Sequence, residues 1–243
     1  MNKKESLIKE VNKLVKTRNS DDIDKAEMLL ENYLKENPKD IEMWIRFCVF
    51  ELQPPLCDGE RGLKYIYKVL EMDPNNFEAV MLMACIDRFL ASANSVIIKL
   101  SQIRTDDPEK LSMIEYAKAW SYERIEEDNY KAIHGNLDGF YKSPENYKQT
   151  EEALKKSINL YPCHVYSYKH LARIYNRCNK KASAAKLIKK AIKNVKVIYK
   201  EGEGLDGDWT CPQEYFNELV KGTHISESLY KSLGEYLVEY SKP

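Results

Sequence analysis

Apolar residues along the chain recur three and four positions apart rather than in alternation, the spacing of one face of an α-helix. Four segments show this with a shared ending: DKAEMLLENYLKENPKD (24–40), GLKYIYKVLEMDPNN (62–76), SVIIKLSQIRTDDPEK (95–110) and TEEALKKSINLYPCHV (150–165). Each helical pattern is predicted to end at a proline: Pro38, Pro74, Pro108 and Pro162, separated by 36, 34 and 54 residues. The residues 12, 8 and 5 positions before those prolines are Ala26/Leu30/Tyr33, Gly62/Ile66/Val69, Val96/Leu100/Ile103 and Thr150/Leu154/Ser157. Spacings of four and three place each triplet on one helical stripe.

A partner helix is expected after each proline. IEMWIRFCVFEL follows Pro38 with Trp44, Phe47 and Cys48; VYSYKHLARIY follows Pro162 with Tyr168, Leu171, Ala172 and Tyr175. In the second, a small side chain beside the leucine lets two helices approach closely. The next helix, KASAAKLIKKAIKNV, repeats the four-and-three spacing at Ala184, Ile188 and Ala191.

In these motifs the chain resembles the tetratricopeptide repeat family, over roughly residues 1–198 and most clearly over 165–198. SESLYKSLGEYLVEY, with Tyr230, Leu233, Gly234 and Leu237, matches the pattern of the first helix of a pair and is read as a terminal cap. The resemblance implies an all-α, right-handed superhelix (α-solenoid) of antiparallel helix pairs, forming one domain over 1–243. Its expected repeats are 7–40, 41–76, 77–110, 111–164 and 165–198, about five in all, with a capping helix at 226–241. The first helix, about 5–17, lacks the aromatic and small residues of the motif, and in the fourth repeat Ala119 and Tyr122 fit with a one-residue shift. Two stretches belong to no standard repeat, an insertion at 125–148 and an irregular segment at 199–225. Both are rich in aromatics that are costly to leave in water, so parts of both are expected to pack on the helices.

Composition narrows the function. Thirty-eight basic and thirty-eight acidic residues cancel, which argues against a dedicated nucleic-acid binder. No apolar run reaches the roughly 20 residues of a membrane span, and mean hydropathy is −0.59, so no membrane partner is expected. The opening MNKKESLIKEVNKLVK is broken by charges and reads as an amphipathic helix rather than a secretory signal. Six scattered cysteines without a CxxC pair fit a reducing cytoplasm.

Neither GxxxxGK[ST], GxGxxG nor HExxH occurs, and no catalytic motif stands out, so the chain is read as a non-enzyme without metal or cofactor. Cys163, His164 and His170 lack the second close ligand pair that zinc needs. Residues 134–145 mimic a calcium loop at Asn136, Asp138, Gly139 and Glu145, but place His134 where a carboxylate is required. Asp206 and Asp208 read as a solvated turn. Lys186, Lys189, Lys190 and Lys193 lie opposite the Ala/Ile stripe of their helix, as a phosphate-binding face or, more simply, a solvated one would.

The resemblance further implies that the first helices of the pairs line a concave groove for a protein or peptide partner. Carried onto this sequence, the groove comprises Ile45, Val49 and Leu52, then Met81, Cys85 and Arg88, then Tyr116, Trp120 and Glu123, and finally Tyr166, Lys169, Arg173 and Arg177. It is apolar at one end and basic at the other, so a partner with acidic and aromatic anchors is expected. The open alternative is that Ile45, Val49 and Met81 are covered by the first helix or an insertion. A clamp for chaperone C-termini is disfavoured, because its cations would be spread over three repeats. A second functional reading is a bacterial immunity or antitoxin-like protein that occludes one cognate toxin, and self-association through the C-terminal helix is a further option.

Overall fold

The computed structural model describes residues 3–52, 56–90, 93–196 and 227–242, with side chains at 88–90 and 227–229 outside the description. The irregular segment at 199–225 therefore lies outside the described residues. Among the described residues there is no strand, and no helix is long and apolar enough to cross a membrane. They fall into two units, a first up to Ile86 and a second from Asp87.

The first unit contains α1 (Lys3–Thr17), α2 (Ser20–Glu36), α3 (Ile41–Leu52), α4 (Gly59–Met72) and most of α5 (Phe77–Leu90). Asn19 and Asp58 cap α2 and α4 by accepting backbone N–H groups of Asp21 and Arg61, each at 2.9 Å. The stripe positions Ala26, Leu30, Ile66 and Val69 are buried, and Val11, Val15, Met43, Phe47 and Phe50 complete the core of α1 to α3. Phe47 stacks on Tyr65 at 4.0 Å, tying α3 to α4. Gly62 explains the small residue at its position. A Cβ there would lie 3.2 Å from Leu52 Cδ2 and 3.5 Å from both Cys48 Sγ and Ile86 Cδ1. Lys4 secures α1 through Asp40 at 2.9 Å and Glu42 at 2.8 Å.

The second unit continues with α6 (Ala93–Gln102), α7 (Pro108–His134), α8 (Lys148–Leu160), α9 (Val165–Arg177), α10 (Lys181–Val195) and α11 (Glu227–Tyr240). Pro38, Pro74 and Pro162 follow the ends of α2, α4 and α8, as the pattern predicts. Pro108 does not: α6 stops at Gln102, and Pro108 opens α7 behind the N-cap Asp107, whose side chain accepts from Glu109 N at 2.9 Å. A proline is equally at home at the first helical position, where its missing N–H would be unsatisfied anyway.

The stretch at 125–148 is not an insertion into a turn throughout. Residues to His134 extend α7 to 27 residues, ended by Gly135 at φ 77°, whose N–H reaches Lys131 O at 2.8 Å. The chain then returns through short 3-10 turns at Phe140–Lys142 and Pro144–Tyr147. Phe140 and Tyr147 are fully buried, so this part packs on the helices. The first turn of α8 has no cap of its own; Glu126 from α7 accepts Gln149 N at 2.7 Å and Thr150 Oγ1 at 2.6 Å. Buried hydroxyls join α7, α8 and α9: Ser112 to Ser157 at 2.8 Å, Ser157 to Ser167 at 2.7 Å, and Ser167 to His164 Nδ1 at 2.7 Å. α11 packs on α10 with Leu233 and Tyr240 buried, which is what a capping helix does.

Candidate functional site

The sequence-derived groove residues divide by environment. Ile45, Val49 and Met81 in the first unit are 3%, 1% and 2% exposed, so they pack the interior and offer a partner almost no surface. Their helices α3 and α5 are apolar nearly all round, the pattern of elements covered on more than one side. The side chain of Arg88 lies outside the described residues.

In the second unit the structure brings Tyr116, Trp120, Tyr166, Lys169, Arg173 and Arg177 together. Tyr116, Trp120 and Glu123 follow one face of α7, and Lys169, Arg173 and Arg177 recur every fourth residue along α9. Each of these three cations stands over an aromatic ring from a different element. Lys169 Nζ is 5.2 Å from the Tyr236 ring, Arg173 is 5.1 Å from Trp120, and Arg177 is 5.1 Å from Tyr141. Tyr116 meets Tyr166 at 6.1 Å and His164 at 5.0 Å.

Glu123, only 5% exposed, is the hub. Its Oε2 accepts from His170 Nε2 at 2.8 Å and from Arg173 Nη2 at 3.0 Å, and its Oε1 lies 3.7 Å from Arg177 Nη1. Burial alone would raise the Glu123 carboxyl, but the His170 hydrogen bond and the two guanidinium charges outweigh it and hold the group below the usual range. Burial pushes His170 down against the pull of Glu123. With Glu123 ionised, the ring proton sits on Nε2, and Nδ1 is buried without a hydrogen-bond partner. Glu127, one helical turn on, is raised first by burial and then by the Glu123 charge. Two guanidiniums face the Glu123 carboxylate, and the Arg173 and Arg177 side chains are 36% and 39% exposed.

Sequence spacing placed Glu123 beside Tyr116 and Trp120 but gave no sign that it would bind its own arginines. It also missed His170, Tyr141 and Tyr236 as parts of this face, since they meet only through packing of α7, α9, α11 and the returning turns. His164 packs beneath this face with its Nδ1 on Ser167 Oγ at 2.7 Å, and Cys163 Sγ reaches Asn194 O at 3.6 Å. Among the described residues no group of three or more His, Cys, Asp or Glu side chains is placed to hold a metal ion.

Antiparallel helix pairs with buried small residues at the recurring stripe define a helical-repeat protein of tetratricopeptide-like type. Two solved MamA structures share the helical fold. A double mutant of MamA from strain RS-1 matches at 17% identity over 83% of this chain and 99% of that one, with TM-score 0.52. MamA from residue 41 to its end, from Desulfovibrio magneticus RS-1, matches at 18% identity over 82% and 99%, with TM-score 0.51. A tetratricopeptide repeat protein from Parabacteroides merdae aligns at 14% identity over 96% and 98%, with TM-score 0.44. No family model and no curated protein matches the chain.

Proposed function

We propose that the chain is a non-catalytic protein-interaction module whose recognition face is built by Tyr116 and Trp120 of α7 with Tyr166, Lys169, Arg173 and Arg177 of α9. The observation that carries this reading is the row of three cations, each braced on an aromatic ring and two of them anchored on Glu123. Bracing lowers the side-chain entropy lost on binding, and aromatic and arginine side chains dominate interface energetics. A partner that presents acidic groups beside an aromatic anchor fits this face. The described cysteines are all unbridged, which suits a cytoplasmic setting.

A photo-reactive amino acid placed at position 166 tests the proposal against one placed at the exposed Met28 of α2. Position 166 should label a discrete polypeptide in native lysate, position 28 should not, and Lys169→Glu should abolish the labelling with the helical circular dichroism unchanged. Identical labelling from both positions, or labelling indifferent to Lys169→Glu, would move the site elsewhere.

A further inference from the structure

We propose that the outer face of α10 is a docking surface for anionic phospholipid bilayers, independent of the recognition face on α9. Residues 180–200 contain eight lysines and no aspartate or glutamate, in a chain whose basic and acidic residues cancel only when this stretch is included. Lys186, Lys189, Lys190 and Lys193 are all exposed and fall within an arc of about 100° along about 10 Å of helix. None of the four has a carboxylate within ion-pair distance among the described residues, whereas Lys25, Lys35 and Lys155 on α2 and α8 pair within their own helices.

This arrangement carries an electrostatic cost that solubility does not require. The pairs 186/189, 186/190, 189/193 and 190/193 set like charges three and four residues apart, a spacing at which they repel and destabilise the helix. Lys180 and Lys181 stand at the positive end of the helix dipole, and α10 has neither an acidic first turn nor a side-chain N-cap. Glutamate or glutamine in some of these positions would be equally solvated and would relieve the repulsion. The helix is held instead by Ala184, Ala185, Ile188, Ala191 and Val195, all buried, which leaves the whole lysine row facing outward.

A layer of anionic headgroups would offset the repulsion. Four to eight lysines on one helical face is the range that binds such surfaces. Lysine keeps its hydration and contributes as a point charge, suited to a diffuse anionic plane rather than to a shaped site. The row contains no arginine and no exposed aromatic for base readout or stacking, which favours lipid over nucleic acid.

The test is co-sedimentation of the full chain with vesicles of phosphatidylcholine alone or with about 30 mol% phosphatidylserine, at about 0.1 M and 0.5 M salt. Binding is expected only with phosphatidylserine at low salt. The variant Lys186→Gln/Lys189→Gln/Lys190→Gln/Lys193→Gln should lose it by about tenfold or more. The same net charge change at Lys13, Lys16, Lys39 and Lys64, exposed lysines of the first unit, should preserve most of it. Melting of the α10 variant should not fall, because repulsion has been removed. Absence of binding to phosphatidylserine vesicles, or equal loss in both variants, overturns the proposal. So does tighter binding to duplex DNA or polyglutamate than to the vesicles.

Discussion

Replacing Glu51 with glutamine should change how the stability of the first unit depends on pH. Glu51 on α3 is 0% exposed, and its nearest cation, Arg61 Nη2, stands 3.1 Å from Oε1 but is hydrogen-bonded to Glu27 instead. Burial, followed by the negative charges of Asp58 and Glu31, raises the Glu51 carboxyl from 4.5 to about 7. Between those values the folded chain holds a proton that the unfolded chain has released. Stability from this group is therefore greatest below about pH 4.5, declines as pH rises toward 7, and is level above. A shift of that size at 1.36 kcal/mol per unit amounts to about 3 kcal/mol. Glu51→Gln mimics the protonated form at every pH, so its advantage over wild type should grow by about that amount between pH 4.5 and 8. Urea denaturation of both proteins across this range reads the difference directly, and subtraction cancels carboxyls such as Asp40 and Glu42 that are held low by Lys4. A constant difference, or a variant that loses ground as pH rises, would mean that the Glu51–Arg61 contact stabilises the ionised carboxylate and that the reasoning is wrong.

Two further outcomes follow from buried groups. Gly62→Leu should cost about 1–3 kcal/mol in urea denaturation, because its side chain must enter space already occupied by Leu52, Cys48 and Ile86; an unchanged midpoint would show that α3 and α4 are not in tight contact. His164 is lowered by burial from 6.5 to about 3, so the unfolded chain takes up a proton first and stability contributed by the neutral ring is lost as pH falls from about 6.5 toward 3. His164→Asn should flatten that acid-side loss in a pH series of thermal melts, and an equally steep loss in the variant would place the acid sensitivity elsewhere.

Much of the fold was legible because helix pairing writes itself into local spacing. The triplets Ala26/Leu30/Tyr33 and Gly62/Ile66/Val69 needed only the 3.6-residue period to be assigned to one face, and their small members mark where helices touch. Pro108 reads as a stop in the sequence because proline ends one helix and begins another with the same side chain; only Asp107 accepting from Glu109 decides between them. Residues 125–134 match no standard repeat and so read as insertion, although nothing in the sequence breaks α7 before Gly135.

The sequence by itself determined the all-α class and the helix-pair periodicity, and it named Lys169, Arg173 and Arg177 of α9 as candidates. Tertiary structure alone decided which of the candidate side chains reach solvent. Ile45, Val49 and Met81 carry the same periodic signal as Tyr166 and Lys169, yet the former are sealed inside while the latter are only partly buried. Periodicity records which residues share a face of their own helix; what covers that face is set by contacts far apart in the chain. The same holds for Glu123, whose ion pairs join residues 47 to 54 positions distant, a separation at which no local pattern survives.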